Sequence, residues 1–170
     1  MTTTPLLAVR GLRVRFRTGD GVLEAVKGID LDVAPNETVA IVGESGSGKS
    51  QSVMSLMGLL AKNGEVSGSA KYRGEELIGL ANAALNRYRG KKLTMIFQEP
   101  MTSLDPLFRI GDQIALTLRH HGGLGRTAAR TRVLDLLRQV KIPDPERRID
   151  AYPHELSGGQ RQRVMIAMAL

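Results

Sequence analysis

The chain is predicted to adopt an α/β fold, with antiparallel β structure ahead of the core and an inserted group of helices behind it. Three observations carry that prediction. The apolar run Thr38-Val39-Ala40-Ile41-Val42 feeds the glycine-rich octet Gly43-Glu44-Ser45-Gly46-Ser47-Gly48-Lys49-Ser50, which opens a helix-like stretch to about Leu60. Residues 6–33 have the alternation and turn residues of short strands. Residues 110–140 change to helical periodicity.

Taken in order, Leu12-Arg13-Val14-Arg15-Phe16 alternates, Thr18-Gly19-Asp20-Gly21 is a turn, and Val22 to Lys27 and Ile29 to Val33 are extended. Pro35-Asn36-Glu37 turns the chain into a buried strand over Thr38 to Val42. Asn63-Gly64 and Gly68 punctuate a polar strand that ends near Arg73-Gly74. Ala81 to Tyr88 reads as a short helix, and Leu93 to Phe97 as an apolar strand stopped by Gln98-Glu99-Pro100. Ile110 to Arg119 and Thr127 to Val140 are helical, separated by Gly122-Gly123-Leu124-Gly125. Pro143, Pro145 and Pro153 break the chain before a last helix from about Gly158. No internal repeat or low-complexity linker interrupts this order.

The octet matches the pattern G-x-x-x-x-G-K-[ST] between a strand and a helix. Glycines let successive backbone N–H groups turn toward phosphate oxygens, and the following helix adds the positive end of its dipole. In that setting Lys49 reaches the β- and γ-phosphates, and the Ser50 hydroxyl is placed to ligate Mg²⁺. Nucleotide binding is therefore predicted.

Composition limits the alternatives. With 170 residues and 42% hydrophobic content the chain can build one substantial core, with room for a small subdomain. Absence of cysteine excludes disulfides, thiolate metal sites and a cysteine nucleophile in this sequence. Met1 to Pro5 lack the order of a secretory signal, and no apolar stretch reaches the roughly 20 residues needed to span a bilayer. The net charge of +7 comes mostly from scattered arginines. The densest basic stretch, Arg126 to Arg138, reads as an amphipathic helix with a solvated basic face. Three Phe and three Tyr are too few for a base-stacking platform, and no nucleic-acid partner is expected.

A second motif follows the helices. In Leu156-Ser157-Gly158-Gly159-Gln160, Ser157 is placed to cap the next helix, and the glycine pair lets exposed amides approach an anion closely. This LSGGQ segment is similar to the signature sequence of ATP-binding-cassette (ABC) ATPases. Phe97-Gln98-Glu99-Pro100 resembles the family's Q-loop, which implies that Gln98 touches Mg²⁺ and the attacking water. Phe16 occupies the place of the family's adenine-stacking aromatic, although an inward strand Phe serves equally as core. GESGSGKS, FQEPMTSLDP and YPHELSGGQRQR together resemble the ATPase subunits of oligopeptide and dipeptide importers, a group that includes nickel uptake systems.

That resemblance covers essentially the whole chain, and it implies much more than the motifs alone. The fold would be a P-loop NTPase core, with residues 1–98 as the β subdomain and part of the ATP-binding core, 99–157 as the helical subdomain, and 158–170 as the signature helix. The activity would be ATP hydrolysis coupled to uptake of peptides or similar solutes. Partners would be a second ABC ATPase subunit, identical or related, integral membrane permease subunits, and indirectly a solute-binding protein. The location would be peripheral, at the cytoplasmic face of the inner membrane. In such dimers Ser157, Gly158, Gly159 and Gln160 serve the ATP held by the partner's phosphate loop. ATPases of the same family that act on DNA or the ribosome are the alternative, as is a nucleotide-binding module without catalysis.

The family pattern also contains a hydrophobic strand ending in Asp-Glu after the signature, the Walker B strand, and then a histidine near the γ-phosphate. Neither occurs before Leu170, so the sequence reads as truncated ahead of the Walker B strand. Residues 1–170 by themselves are expected to hydrolyse ATP negligibly and to aggregate. His120, His121 and His154 precede or abut the signature and are expected to be surface or loop residues.

Overall fold

The computed structural model describes residues 4–97 and 103–170. The chain forms two compact units, the first running to Arg89 and the second starting at Gly90.

The first unit is built on a hairpin. Strands β1 (Leu7–Thr18) and β2 (Gly21–Val33) pair antiparallel from Leu7↔Val33 to Thr18↔Gly21. Strand β3 (Gly64–Tyr72) pairs with the other edge of β1, and the short β4 (Glu75–Glu76) pairs with β3, giving the order β2-β1-β3-β4. A bulge at Arg10-Gly11 shifts the register so that Val9 and Leu12, three residues apart, are both fully buried. With Ala70 they form a small core, against which Leu56 of helix α1 (Lys49–Leu56) packs. On the solvent side, Arg10 bonds Asp32 through two 2.7 Å contacts, Arg15 pairs with Glu24 at 2.6 Å and Arg17 with Glu65 at 2.6 Å. Much of the basic charge on β1 is thus matched across the sheet.

Helix α1 stops earlier than the predicted Leu60. Gly58 takes φ +61, Leu59 N donates to Met54 O (2.9 Å) and Gly58 N to Ser55 O (3.1 Å). That pair of bonds is a Schellman termination, and glycine allows it because its left-handed backbone carries no Cβ penalty. The predicted helix over Ala81 to Tyr88 is also shorter: α2 covers only Asn82–Leu85 before turning.

Two predicted strands do not form. Thr38 to Val42 has no strand pairing, and Val39, Ile41 and Val42 are 37%, 43% and 88% exposed. Leu93 makes a single bridge, while Thr94 to Phe97 are unpaired and Ile96 and Phe97 are exposed. An apolar run becomes a strand only when neighbours satisfy its N–H and C=O groups, and no described strand lies beside either run.

In the second unit, helices α3 (Ile110–Gly122), α4 (Arg126–Gln139) and α6 (Gly158–Ala169) enclose a core that includes Ile110, Ile114, Val133, Leu137 and Val164. The short α5 (Pro145–Arg148) and a 3₁₀ turn (Pro153–Glu155) connect α4 to α6. Ile110 N and Gly111 N, in the first turn of α3, donate to Ala151 O and Ile149 O at 2.9 and 3.0 Å. The basic face of α4 is partly neutralised: Arg130 bonds Asp150 at 2.9 Å, and Arg138 bonds Asp135 at 3.0 Å and Glu146 at 2.6 Å.

Candidate nucleotide site

The phosphate loop lies between the unpaired run and α1. Gly48 is the residue before the helix, with φ +91, and a Cβ there would stand 2.3 Å from Ala25 O. Both its backbone and its surroundings require glycine. Ala25 is the extra residue of β2 between the pairs Val14↔Val26 and Arg15↔Glu24, so the loop rests on a bulge in the sheet. Gly43 is crowded differently, because a Cβ would lie 2.8 Å from Ser47 Oγ.

Lys49 folds back over its own loop. Its Nζ donates to Gly43 O at 2.8 Å, Glu44 O at 2.6 Å and Ser47 Oγ at 3.2 Å. A turn bond from Ser47 N to Glu44 O (3.3 Å) closes the crest, and Glu44, Ser45, Gly46 and Ser47 are exposed. The first turn of α1, with Lys49 and Ser50, leaves N–H groups that no helical carbonyl can satisfy. An ammonium group, free amides and a helix dipole therefore converge on one small volume, which suits a polyphosphate. Ser50 is exposed at this helix start, a place from which a hydroxyl can reach a cation carried by the phosphates. Ser52 and Ser55, deeper in α1, are buried and bond Gly48 O and Ser52 O, so they are structural.

The opposite end of α1 is held by a residue that no motif marks. Arg89 Nε donates to Met57 O at 2.8 Å, and the same guanidinium reaches Gly58 O, Asn82 Oδ1 and Asn86 Oδ1. A cation at the last carbonyls of the helix complements its dipole.

Phe16 lies in the first unit, partly buried on β1 opposite Leu23 and Gly64. Gln98 lies outside the described residues. The signature residues belong to the second unit, where Ser157 caps α6. Its Oγ accepts from Gln160 N at 3.3 Å while Gln160 Oε1 accepts from Ser157 N at 3.0 Å, a reciprocal capping box. Arg161 Nε donates to Pro153 O and Leu156 O, tying the helix start to the preceding turn.

Gly158 and Gly159 have no steric reason to be glycine. Both are exposed and helical, neither has a positive φ, and a Cβ on either would meet no atom within 4 Å. Two glycines in a helix start cost stability relative to alanine, about 1 kcal/mol each.

The histidines take no part in this arrangement. His120 and His121 form an edge-on pair in the last turn of α3, and His154 stacks on Tyr152. Burial, then His120 and Lys91, push the His121 pKa down. Among the described residues no group of three His, Asp or Glu could hold a metal ion, and no helix is long and apolar enough to cross a membrane.

Comparison with known proteins identifies the family. The family model described as "ABC transporter" matches residues 26–170. An oligopeptide transport ATP-binding protein of Haemophilus influenzae is 52% identical over 166 residues, covering 98% of this chain and 51% of that protein. A putative peptide import ATP-binding protein of Brucella abortus is 49% identical over 171 residues, covering 100% of this chain and 52% of its own length. The dimeric structure of MJ0796, a bacterial ABC transporter cassette, is similar with a TM-score of 0.84 at 28% identity, covering 96% of this chain and 68% of that one. A second structure of that cassette, also with a TM-score of 0.84, is described as a post-hydrolysis state bound to ADP and Pi. The chain spans about half the length of the curated relatives it matches. With most of its length matching one family model, and the two motifs presented as described, the chain belongs to the ABC transporter family of ATP-binding proteins.

Proposed function

We propose that the protein is the nucleotide-binding subunit of an ABC importer for peptides or similar solutes, working at the cytoplasmic face of the membrane with permease subunits and, through them, a solute-binding protein. The observation that supports this best is the pairing of a phosphate loop at the start of α1 with an exposed glycine pair that no described residue crowds. Two copies, or this chain and a related subunit, would then complete each other's sites.

In this reading the loop 43–50 wraps the triphosphate of ATP. Lys49 exchanges its contacts to Gly43 O and Glu44 O for phosphate oxygens, so the loop changes its bonding when the tail arrives. Ser50 and Gln98 would hold Mg²⁺, which when bound would supply charge neutralisation for the phosphates, and Gln98 would orient water. Ser157, Gly158, Gly159 and Gln160 meet the ATP of the partner copy. Residues 1–98 carry the ATP-binding role, 99–157 the helical subdomain and 158–170 the signature helix.

The permease would dock on the helical unit, where Phe108, Asp112, Leu116, Arg119 and Met168 line a groove of about 660 Å³. Leu107, Phe108 and Leu116 are 79%, 57% and 66% exposed, which is apolar surface suited to a partner helix. Titration calorimetry of the full-length protein with Mg-ATP tests the nucleotide assignment. Binding that Lys49→Ala weakens at least about a hundredfold is the expected result, corresponding to roughly 3 kcal/mol. Equal heats for both proteins would contradict it.

A further inference from the structure

Gly64 is the first residue of β3 and pairs with Phe16. Its φ is not positive, so its backbone would accept any residue. Space is the constraint. A Cβ on Gly64 would stand 2.8 Å from Phe16 Cε1, 3.1 Å from Ala61 O and 3.1 Å from Leu60 Cβ. Beside it, Asn63 O accepts from Arg17 N at 3.0 Å and Asn63 Nδ2 donates to Arg17 O at 2.8 Å. Gly64 N in turn donates to Ala61 O at 2.8 Å. The turn 61–64 is therefore stitched to β1 immediately after Phe16.

The face also matters. Phe16 follows Leu12 and Val14 at two-residue intervals on β1, and both are fully buried. That face of the sheet is the one α1 covers, since Leu56 packs against Val9 and Leu12. The phosphate loop touches β2 at Ala25, and Glu24 and Leu23 next to it pair with Arg15 and Phe16. The partly buried ring is thus on the loop's side of the sheet, within two residue pairs of the point where the loop rests.

We propose that Asn63 and Gly64 form the seat that sets the Phe16 ring for a purine base, Gly64 by having no side chain and Asn63 by clamping Arg17. This rests on the reading that Phe16 stacks on the base of the bound nucleotide. Both are positioning residues, acting through Phe16.

Mg-ATP and magnesium tripolyphosphate, which has the phosphate tail without the base, separate the two contributions when titrated into the full-length protein. Phe16→Ala and Gly64→Ala are each expected to weaken ATP about tenfold and to leave tripolyphosphate within about twofold. Asn63→Ala shifts ATP in the same direction by less. The double variant Phe16→Ala/Gly64→Ala binds ATP no more weakly than Phe16→Ala alone, because the seat has no ring left to place. Full ATP affinity in Gly64→Ala, with affinity lost in Phe16→Ala, overturns the seat and leaves the stacking intact. Full affinity in Phe16→Ala overturns both. Additive losses in the double variant, or equal losses toward ATP and tripolyphosphate, assign Gly64 to general folding and overturn the proposal.

Discussion

At single positions, the glycines divide into those that local packing requires and those that it does not, and substitution separates them. Gly48 is needed by its own chain: Gly48→Ala forces a Cβ into Ala25 O at a left-handed φ and should destabilise the first unit by about 2–4 kcal/mol, read as a lower denaturation midpoint. Gly158→Ala and Gly159→Ala should instead leave stability unchanged or raise it by up to about 1 kcal/mol each. Under the proposed function those same variants should lower ATP turnover of the assembled transporter by tenfold or more, since the added methyl groups would stand where the partner's nucleotide is proposed to approach. Melting curves and turnover measured together check this, and a loss of stability equal to the loss of activity would contradict it. The glycine-rich turn into α1 and the capped start of α6 are legible in the sequence because each is a contiguous string whose geometry is local. The capping role of Ser157 was legible for the same reason. The close contacts of Gly64 and Arg89 are not legible in the sequence, because they are made to atoms 40 or more residues away for Gly64 (Phe16) and about 30 for Arg89 (Met57).

For whole elements, termini and pairing decide what forms. The Arg89 guanidinium holds the Met57 and Gly58 carbonyls at the cap just past α1, so Arg89→Ala should cost about 1–3 kcal/mol in denaturant unfolding, and Arg89→Lys should recover only part, since an ammonium lacks the planar fork. The β hairpin and the helical group were legible through their periodicities. The runs 38–42 and 93–97 have the composition of strands, yet neither becomes one among the described residues, because pairing is a property of neighbours and not of composition. In the helical unit, Asp150 joins α4 to the start of α3 through Arg130 and Arg109. The Arg130 hydrogen bond is the main reason its carboxyl is held below the usual range, with burial opposing it. A depressed carboxylate pKa stabilises the fold above the unfolded value, near pH 4, and loses that contribution as pH falls through the folded value. Thermal melts below about pH 4 should therefore fall more steeply for the native protein than for Asp150→Asn. Parallel curves would remove Asp150 from the account.

For the molecule as a whole, the proposed function depends on association. The groove lined by Phe108 and Leu116 is proposed to receive the permease, so Leu116→Asp should abolish co-purification with the permease subunits while leaving Mg-ATP binding unchanged. Composite ATP sites are the more basic claim, and these 170 residues contain no cysteine, which makes them direct to test. In full-length protein freed of any other cysteine, Ser47→Cys and Ser157→Cys are introduced together and oxidised with and without a non-hydrolysable Mg-ATP analogue. A covalent dimer that forms only with the nucleotide, and disappears when Lys49→Ala is added, is the predicted result. Crosslinking within one chain, or dimers that form equally without nucleotide, would contradict a site closed by the partner's glycine pair.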